Sequence, residues 1–434
     1  SGVVKNQAQL MSSAVGDLRD PVFFQKVKNV RVLNQTEALR IDRAGRRVQV
    51  RDMNTGRDSW IDYDKLVLAT GATPVIPKIP GVDLKNVFTL HGVTDAEGIK
   101  GALDTGRAHD VVIIGGGLIG IEMTEALAQK GCRVTIVEQR SQILGMLDED
   151  MALLVERHLE SHGVRILTNT TVTELEGDKG MVRMVCTEKV DLPADLVILA
   201  TGITPNSSLA RDAGLDTGVT GGIKVDEHLR TSDEHIYAAG DCTETTHILT
   251  GRPSYMPLGS TANKQGRLVA VNLCGGDDCF PGIIGTVACK VFEYNIARTG
   301  LSEAEARRDG YETISVLTPG PDREHFAPHA RVLMLKLVVD VHTRRLLGAQ
   351  AIGPGHADKR IDVAALAINA GLDVDKIAQL DLCYAPQFAP VMDNLITAAN
   401  VARNKLDGHF RGVSPRQVHQ LSLIHISEPT RLRR

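Results

Sequence analysis

The chain lacks any apolar run long enough to cross a membrane. No stretch of about 18 residues is free of charge, and no signal peptide opens the sequence. A helical membrane span is therefore not expected, and the cytoplasm is the expected compartment. An excess of either charge sign is missing too. A net charge of −4 on mixed signs leaves no basic stripe, which argues against nucleic acid or anionic membrane as a partner. The cysteines show no disulfide-framework spacing. Cys132, Cys186, Cys242, Cys274, Cys279, Cys289 and Cys383 are scattered, which suits a reducing compartment. Only Cys274 and Cys279 stand close, in NLCGGDDCFPG, and no His or Cys cluster accompanies them in the sequence, so no metal is expected.

What is present is ordinary globular material, with 43% hydrophobic and 24% charged residues over 434 positions, enough for two to four domains. Residues 110–140, DVVIIGGGLIGIEMTEALAQKGCRVTIVEQR, read as a strand, a glycine loop, a helix over 118–130 stopped by Gly131, and a second strand with an acid at its tip. This is the pattern of a dinucleotide site. Gly115 makes the tight turn, Gly117 lets the backbone approach a pyrophosphate, and Gly120 lets the helix pack closely on the strand. Leu118 and Ile119 open the helix whose N-terminus meets the phosphates. Glu138 stands where a carboxylate would accept from a ribose diol and repel a 2′-phosphate, so NADH is preferred. Arg140 is the one feature that would support NADPH.

Elsewhere the chain alternates between short strands and turns. A strand is predicted at Val30 to Leu33, and an antiparallel meander follows from Ala38 through LRID and RRVQVRD. The strand LVLAT then stops at Gly71. A second strand-ATG turn occurs in ADLVILATGITPN, and HIYAAGDCT gives a further buried strand ending at Gly240 and Asp241. PLGSTANKQGRLVAVNL is patterned as a helix. After LSEAEARRDG, two long strands, RVLMLKLVVD and RRLLGAQAIG, precede two helices, the last predicted over Phe388 to Asn404.

The order of ATGATP, GGGLIGIE, ATGITPN and AAGD resembles the FAD-dependent pyridine nucleotide-disulfide oxidoreductases over nearly all of residues 35–408. The resemblance implies an α/β fold. It would contain two Rossmann-like nucleotide-binding domains, the FAD domain incomplete and the NAD domain complete, and an α+β dimerisation domain. The implied segments are 1–107 and 229–281 for FAD, 108–228 for NAD(P)H, 282–408 for dimerisation and 409–420 as a linker. It also implies that Ala69, Thr70, Gly71, Gly240, Asp241, Thr261 and Ala262 border FAD. Gly202 and Glu122 would stand near the nicotinamide, and Asn263 and Phe388 near the substrate. The cofactors implied are FAD and NADH, with NADPH as a second donor, and the assembly implied is a homodimer.

CYAPQFAP at 383–390 resembles the single-cysteine branch, which contains coenzyme A disulfide reductases, persulfide reductases and NADH oxidases. Tyr384 matches the tyrosine that would donate a proton to a departing thiolate. FAPHA stands at Phe326 to Ala330 where the coenzyme A disulfide reductases tend to carry YYPGA. GVSPRQVHQ resembles the opening of a rhodanese-like domain, which favours persulfide or polysulfide as the acceptor. No GxGxxG precedes Gly115 and no cysteine precedes Cys132. Since a βαβ unit takes about 30 residues or more, the expectation is a natural protein continuing upstream of Ser1. The redox cysteine is then absent from this chain, which as it stands would be inactive. Residues 421–431, LSLIHISEPTR, translate a common transposase sequencing adapter, so 421–434 are expected to be adapter-derived.

The leading expectation is an NAD(P)H-dependent flavoenzyme reducing a small-molecule disulfide or persulfide. An NADH oxidase or peroxidase is the alternative. A nicotinamide nucleotide-binding fragment without catalysis, or a redox sensor, is the reading from another class.

Overall fold

The computed structural model describes residues 7–13, 16–106, 108–413 and 418. The rhodanese-like opening, apart from residues 412, 413 and 418, and the whole adapter-like stretch lie outside them. The chain divides into two compact units. The first gathers residues 1–77, 88–105 and 201–283, and the second gathers 78–87, 106–200 and the chain from 284 onward. These boundaries differ from the sequence segments chiefly in giving 201–228 to the first unit and in joining 106–200 to the dimerisation segment.

In the first unit, Thr36–Asp42, Arg47–Asp52 and Asp58–Asp62 form the antiparallel meander. Leu66–Leu68 pairs in parallel with Ile236–Ala238, register Leu66 to Ile236 and Leu68 to Ala238. Ile41, Leu68, Ile223, Ile236 and Ala238 close a core around these strands. The strand predicted at Val30 to Leu33 does not form. The Pro21–Lys28 helix ends at Asn29 in the left-handed region, and Val30, Val32 and Leu33 stay exposed with no ladder to satisfy their backbone groups.

In the second unit the Asp110–Ile114 strand lies between Arg133–Val137 and Leu196–Leu199, and Arg165–Leu167 follows on the far side of Arg133–Val137, all parallel. Leu196 to Leu199 are buried throughout, and so are Val111 to Ile114, because a parallel sheet is covered on both faces. The Leu118–Ala128 helix lays Gly120, Ile121, Thr124 and Leu127 inward, and the chain turns at Gly131 with φ +81°.

The same unit carries a five-stranded antiparallel sheet. Its order is Val287–Val291, Tyr294–Gly300, Leu346–Gly353, Val332–Asp340 and Thr313–Pro321. Three of these strands were not anticipated from the sequence. The last helix is Asn394–Leu406, not one beginning at Phe388. Pro390 disfavours helical backbone just before it, and Asp393 caps the true start by accepting from the Leu395 N–H at 3.0 Å. Val391 is consequently exposed rather than part of the helix's buried stripe.

Buried charge ties this sheet to the parallel one. Lys336 Nζ lies 3.2 Å from Asp148, 2.9 Å from Asp150 and 3.5 Å from Glu303. Gln350 donates to Asp148 at 2.8 Å and accepts from its backbone N–H at 2.9 Å. Burial alone would lower the Lys336 ammonium, but the facing carboxylates raise it instead. Burial raises the Asp148 carboxyl, against the pull of Lys336. Lys336→Met is expected to lower the unfolding free energy by about 3–5 kcal/mol, because it leaves carboxylates buried without their cation. Urea unfolding reads this directly; a loss below about 1 kcal/mol, the worth of an exposed pair, would contradict it.

Candidate functional site

The glycine loop is built by contacts that only glycine permits. Gly115 has φ +109°, and its N–H donates to the Val137 carbonyl at 2.8 Å. A Cβ on Gly120 would lie 2.3 Å from the Gly115 carbonyl oxygen, so helix and loop could not approach as they do. Gly117 is the N-cap residue in extended backbone, with nothing near the position of a Cβ. Leu118, Ile119 and Gly120 then present the unsatisfied N–H groups of a helix N-terminus, where an anion is stabilised.

Glu138 is locked against this loop. One carboxylate oxygen accepts from the Gly116 N–H at 2.8 Å and the other from the Arg140 N–H at 2.8 Å. Its own backbone joins Leu167 and Thr170. Each oxygen keeps a lone pair for a further donor. The loop sits at the carboxyl end of Asp110–Ile114, where the winding toward Arg165–Leu167 on one side gives way to Leu196–Leu199 on the other. Open α/β sheets bind ligands at such a switch point. A pyrophosphate and a ribose diol fit this donor and acceptor set. The Arg140 guanidinium lies against Gly145, whose Cβ position is 3.0 Å from Nη1.

Glu122, one turn into the helix, is solvent-accessible yet sufficiently surrounded that desolvation pushes its carboxyl up. Its charge is felt at Cys289, whose thiol is pushed up to about 12, first by burial and then by Glu122.

In the first unit, Ala69, Thr70 and Gly71 leave the end of Leu66–Leu68, and Gly240 and Asp241 leave the end of the neighbouring parallel strand. Gly71 and Gly240 have φ of +68° and +82°. Ala262 packs 3.6 Å from the Cβ position of Gly240, so the start of the Gly259–Leu273 helix, with Thr261, joins the same turn. The Asn263 amide donates to the Gly259 carbonyl at 2.8 Å, one turn back on the same helix. Tyr255 donates to the Asp241 carbonyl at 3.0 Å, and burial, then the Asp241 charge, pushes its hydroxyl up to about 12. The two ATG turns pair with each other. Ile203–Pro205 runs antiparallel to Ala72–Pro74, with Gly202, φ +109°, accepting from the Val75 N–H at 2.9 Å.

Two residues were missed by sequence reasoning. Asn206 accepts from Thr73 at 2.7 Å and donates to the Thr70 carbonyl at 2.9 Å. Gln265, fully buried, accepts from the Gly240 N–H at 2.7 Å. Asn206 was visible as the last letter of ATGITPN, whereas Gln265 had no local signal. The structure also brings His228 to 3.8 Å from Cys279, a partner that sequence spacing did not reveal. Tyr384 and Phe388 lie on the irregular 383–390 segment, 50% and 65% exposed. That accessibility is what presentation to another subunit requires.

A helix N-terminus and acid at one switch point, with a second pair of glycine turns at parallel strand ends, define an oxidoreductase fold built around two nucleotides. The sequence matches the pyridine nucleotide-disulphide oxidoreductase family over residues 2–266 and that family's dimerisation domain over 286–396, and the chain belongs to this family. The family uses FAD and NAD(P)H. The chain is 40% identical over 384 residues to the NAD(P)H sulfur oxidoreductase (CoA-dependent) of Pyrococcus abyssi, covering 88% of this chain and 84% of that one. An NADH oxidase of Methanocaldococcus jannaschii is 30% identical over 390 residues, 90% of this chain and 86% of that one. The structure of an NAD-dependent persulfide reductase from A. fulgidus superimposes with a TM-score of 0.93 at 43% identity, over 95% of this chain and 76% of that one.

Glu138→Ala is expected to weaken NADH binding about 10- to 100-fold, the loss of charge-assisted hydrogen bonds worth about 1.5–3 kcal/mol. NADPH binding should fall less, because it loses only the loop support given through the Gly116 and Arg140 N–H groups and not a ribose contact. Titration of both coenzymes against wild type and variant checks this, and an equal loss for the two would overturn the assignment of Glu138 to the ribose.

Proposed function

We propose that the chain is the NADH-oxidising part of a reductase whose acceptor is sulfur, either a low-molecular-weight persulfide or a disulfide of the coenzyme A type. The observation that carries the reading is Tyr384, a phenol displayed on the exposed 383–390 segment of the dimerisation domain, joined in one chain to a complete dinucleotide loop. The names of the relatives at 40% and 43% identity point to sulfur, while that at 30% points to oxygen. The balance for a persulfide is NADH, a proton and RSSH giving NAD⁺, RSH and H₂S; for a disulfide the products are two thiols.

FAD, when bound, supplies the two-electron relay between nicotinamide and sulfur. The residues of this chain do the rest. The amides of Leu118 to Gly120 hold the pyrophosphate and Glu138 the ribose. Gly71, Gly240, Asp241 and Ala262 would shape the flavin edge, and Glu122 would border the nicotinamide. Tyr384 of one subunit, with Phe388 beside it, gives a proton to the leaving thiolate across a homodimer interface. Four of the seven cysteines are poorly suited to the nucleophilic role. Burial raises the thiols of Cys132, Cys186 and Cys289, the second to about 11, and Cys242 is fully buried beneath the Leu68 carbonyl. Among the described residues no helix is long and apolar enough to cross a membrane; a cytoplasmic reaction is supported by cysteines scattered without a disulfide-framework spacing.

The test uses the full product of the natural gene. Persulfide or coenzyme A disulfide is expected to speed anaerobic NADH oxidation at least about tenfold over the rate with oxygen alone. Tyr384→Phe should lower turnover with sulfur by about 10²–10⁴, the usual worth of a placed general acid, while leaving flavin reduction by NADH unchanged. Equal rates with sulfur and oxygen would sink the reading in favour of an NADH oxidase.

A further inference from the structure

A group of side chains far along the chain from the glycine loop has no part in the reaction above. His158 lies on the Glu149–Ser161 helix and His162 is its C-cap residue, four positions on and therefore on the same face. Facing them is the turn between the Val287–Val291 and Tyr294–Gly300 strands, which reads Phe292, Glu293, Tyr294. His158 stacks on Tyr294, centroids 3.7 Å apart and rings 4° from parallel; His162 stacks on Phe292 at 4.0 Å and 10°. The two aromatics fix both imidazoles, and Glu293 between them projects toward their edges.

The hydrogen bonds decide which nitrogens remain. His162 Nδ1 donates to the His158 carbonyl at 2.9 Å. The His158 ring bonds the Val291 backbone in the sense that raises its proton affinity, so the ring donates there. Its Nε2, fully screened from solvent, has no hydrogen-bond partner, which leaves Nδ1 as the donor. Both Nε2 atoms lie near one carboxylate oxygen, Glu293 Oε2, at 3.5 Å from His158 and 3.0 Å from His162. The His158 side chain is only 9% exposed. One ligand atom from each of the three side chains converges within 4.8 Å of the other two.

We propose that His158, His162 and Glu293 form a binding site for a divalent transition-metal ion of the zinc class. Two imidazole nitrogens and one carboxylate oxygen are the ligands such ions take, at about 2.0–2.2 Å, with the remaining position open to water. Magnesium and calcium, which prefer all-oxygen sets, are disfavoured. The outer contacts are already in place, because each ring's Nδ1–H is held by a backbone carbonyl, the arrangement that orients metal-ligating histidines. A bound ion would staple the helix to the strand turn within the second unit, and so stabilise that unit by mass action.

The test is a titration of chelator-treated, reduced protein with Co²⁺, followed by visible absorption, together with thermal unfolding with and without Zn²⁺. Wild type is expected to bind one Co²⁺ with the ligand-field bands of a low-coordinate nitrogen and oxygen site and without thiolate charge-transfer bands. His162→Gln and Glu293→Gln should each weaken that binding at least about tenfold, and Zn²⁺ should raise the unfolding temperature of wild type but not of the variants. Glu293 is 65% exposed, so its replacement leaves the core intact even where a change at His158 would not. Variants that bind Co²⁺ as wild type does, or a wild-type spectrum dominated by thiolate bands from the cysteines, would overturn the proposal.

Discussion

The hydrogen bond from the Gly116 N–H to Glu138 is the constraint on which the nucleotide-binding geometry turns. It joins the loop after one parallel strand to the tip of the next, so the backbone proposed to face the phosphates and the carboxylate proposed to face the ribose cannot move independently. Gly120 against the Gly115 carbonyl and Gly115 against Val137 complete the lock. A rigid cradle of this kind charges little ordering entropy to the ligand. It also explains why an acid, rather than any hydrogen-bonding residue, is suited to position 138: a carboxylate can accept two backbone N–H groups and still offer lone pairs outward.

A second layer of constraint comes from buried charge. Lys336 holds Asp148, Asp150 and Glu303 across the boundary between the parallel sheet and the antiparallel one, and Gln350 completes the set. Such a network contributes less to net stability than to uniqueness, since a misplaced partner leaves a charge without its counterion in a dry site. The nucleotide-binding and dimerisation domains therefore meet in one geometry. That matters because the former handles the donor while the latter carries Tyr384.

The parts of the fold visible in the sequence were those governed by local rules. Glycine turns, the acid at a strand tip and the continuous apolar strands of a parallel sheet each follow from backbone sterics or from burial on both faces, and 110–140 shows all three. The meander from Thr36 to Asp62 was readable from its alternation and turns. What was not legible depends on partners distant in sequence. Val30 to Leu33 has strand composition but no strand to pair with, while Thr313–Pro321 begins polar and ends in Pro-Gly-Pro, yet forms a nine-residue edge strand against Val332–Asp340. Gln265 holds one candidate flavin turn across an interval of 25 residues, beyond the reach of any periodicity. The same holds for His158 and Glu293, brought together only by the fold.

Taken as a chain of causes, small residues permit close approach, close approach aims backbone amides and one carboxylate, and that aim suits the dinucleotide with a free ribose diol that we propose. The most direct measurement is a structure of the protein with NADH bound. Both adenosine ribose hydroxyls are expected within hydrogen-bonding distance of Glu138, with the pyrophosphate against the amides of Leu118 to Gly120. A dinucleotide seated elsewhere, or one whose ribose leaves Glu138 without contact, would contradict the assignment at its root.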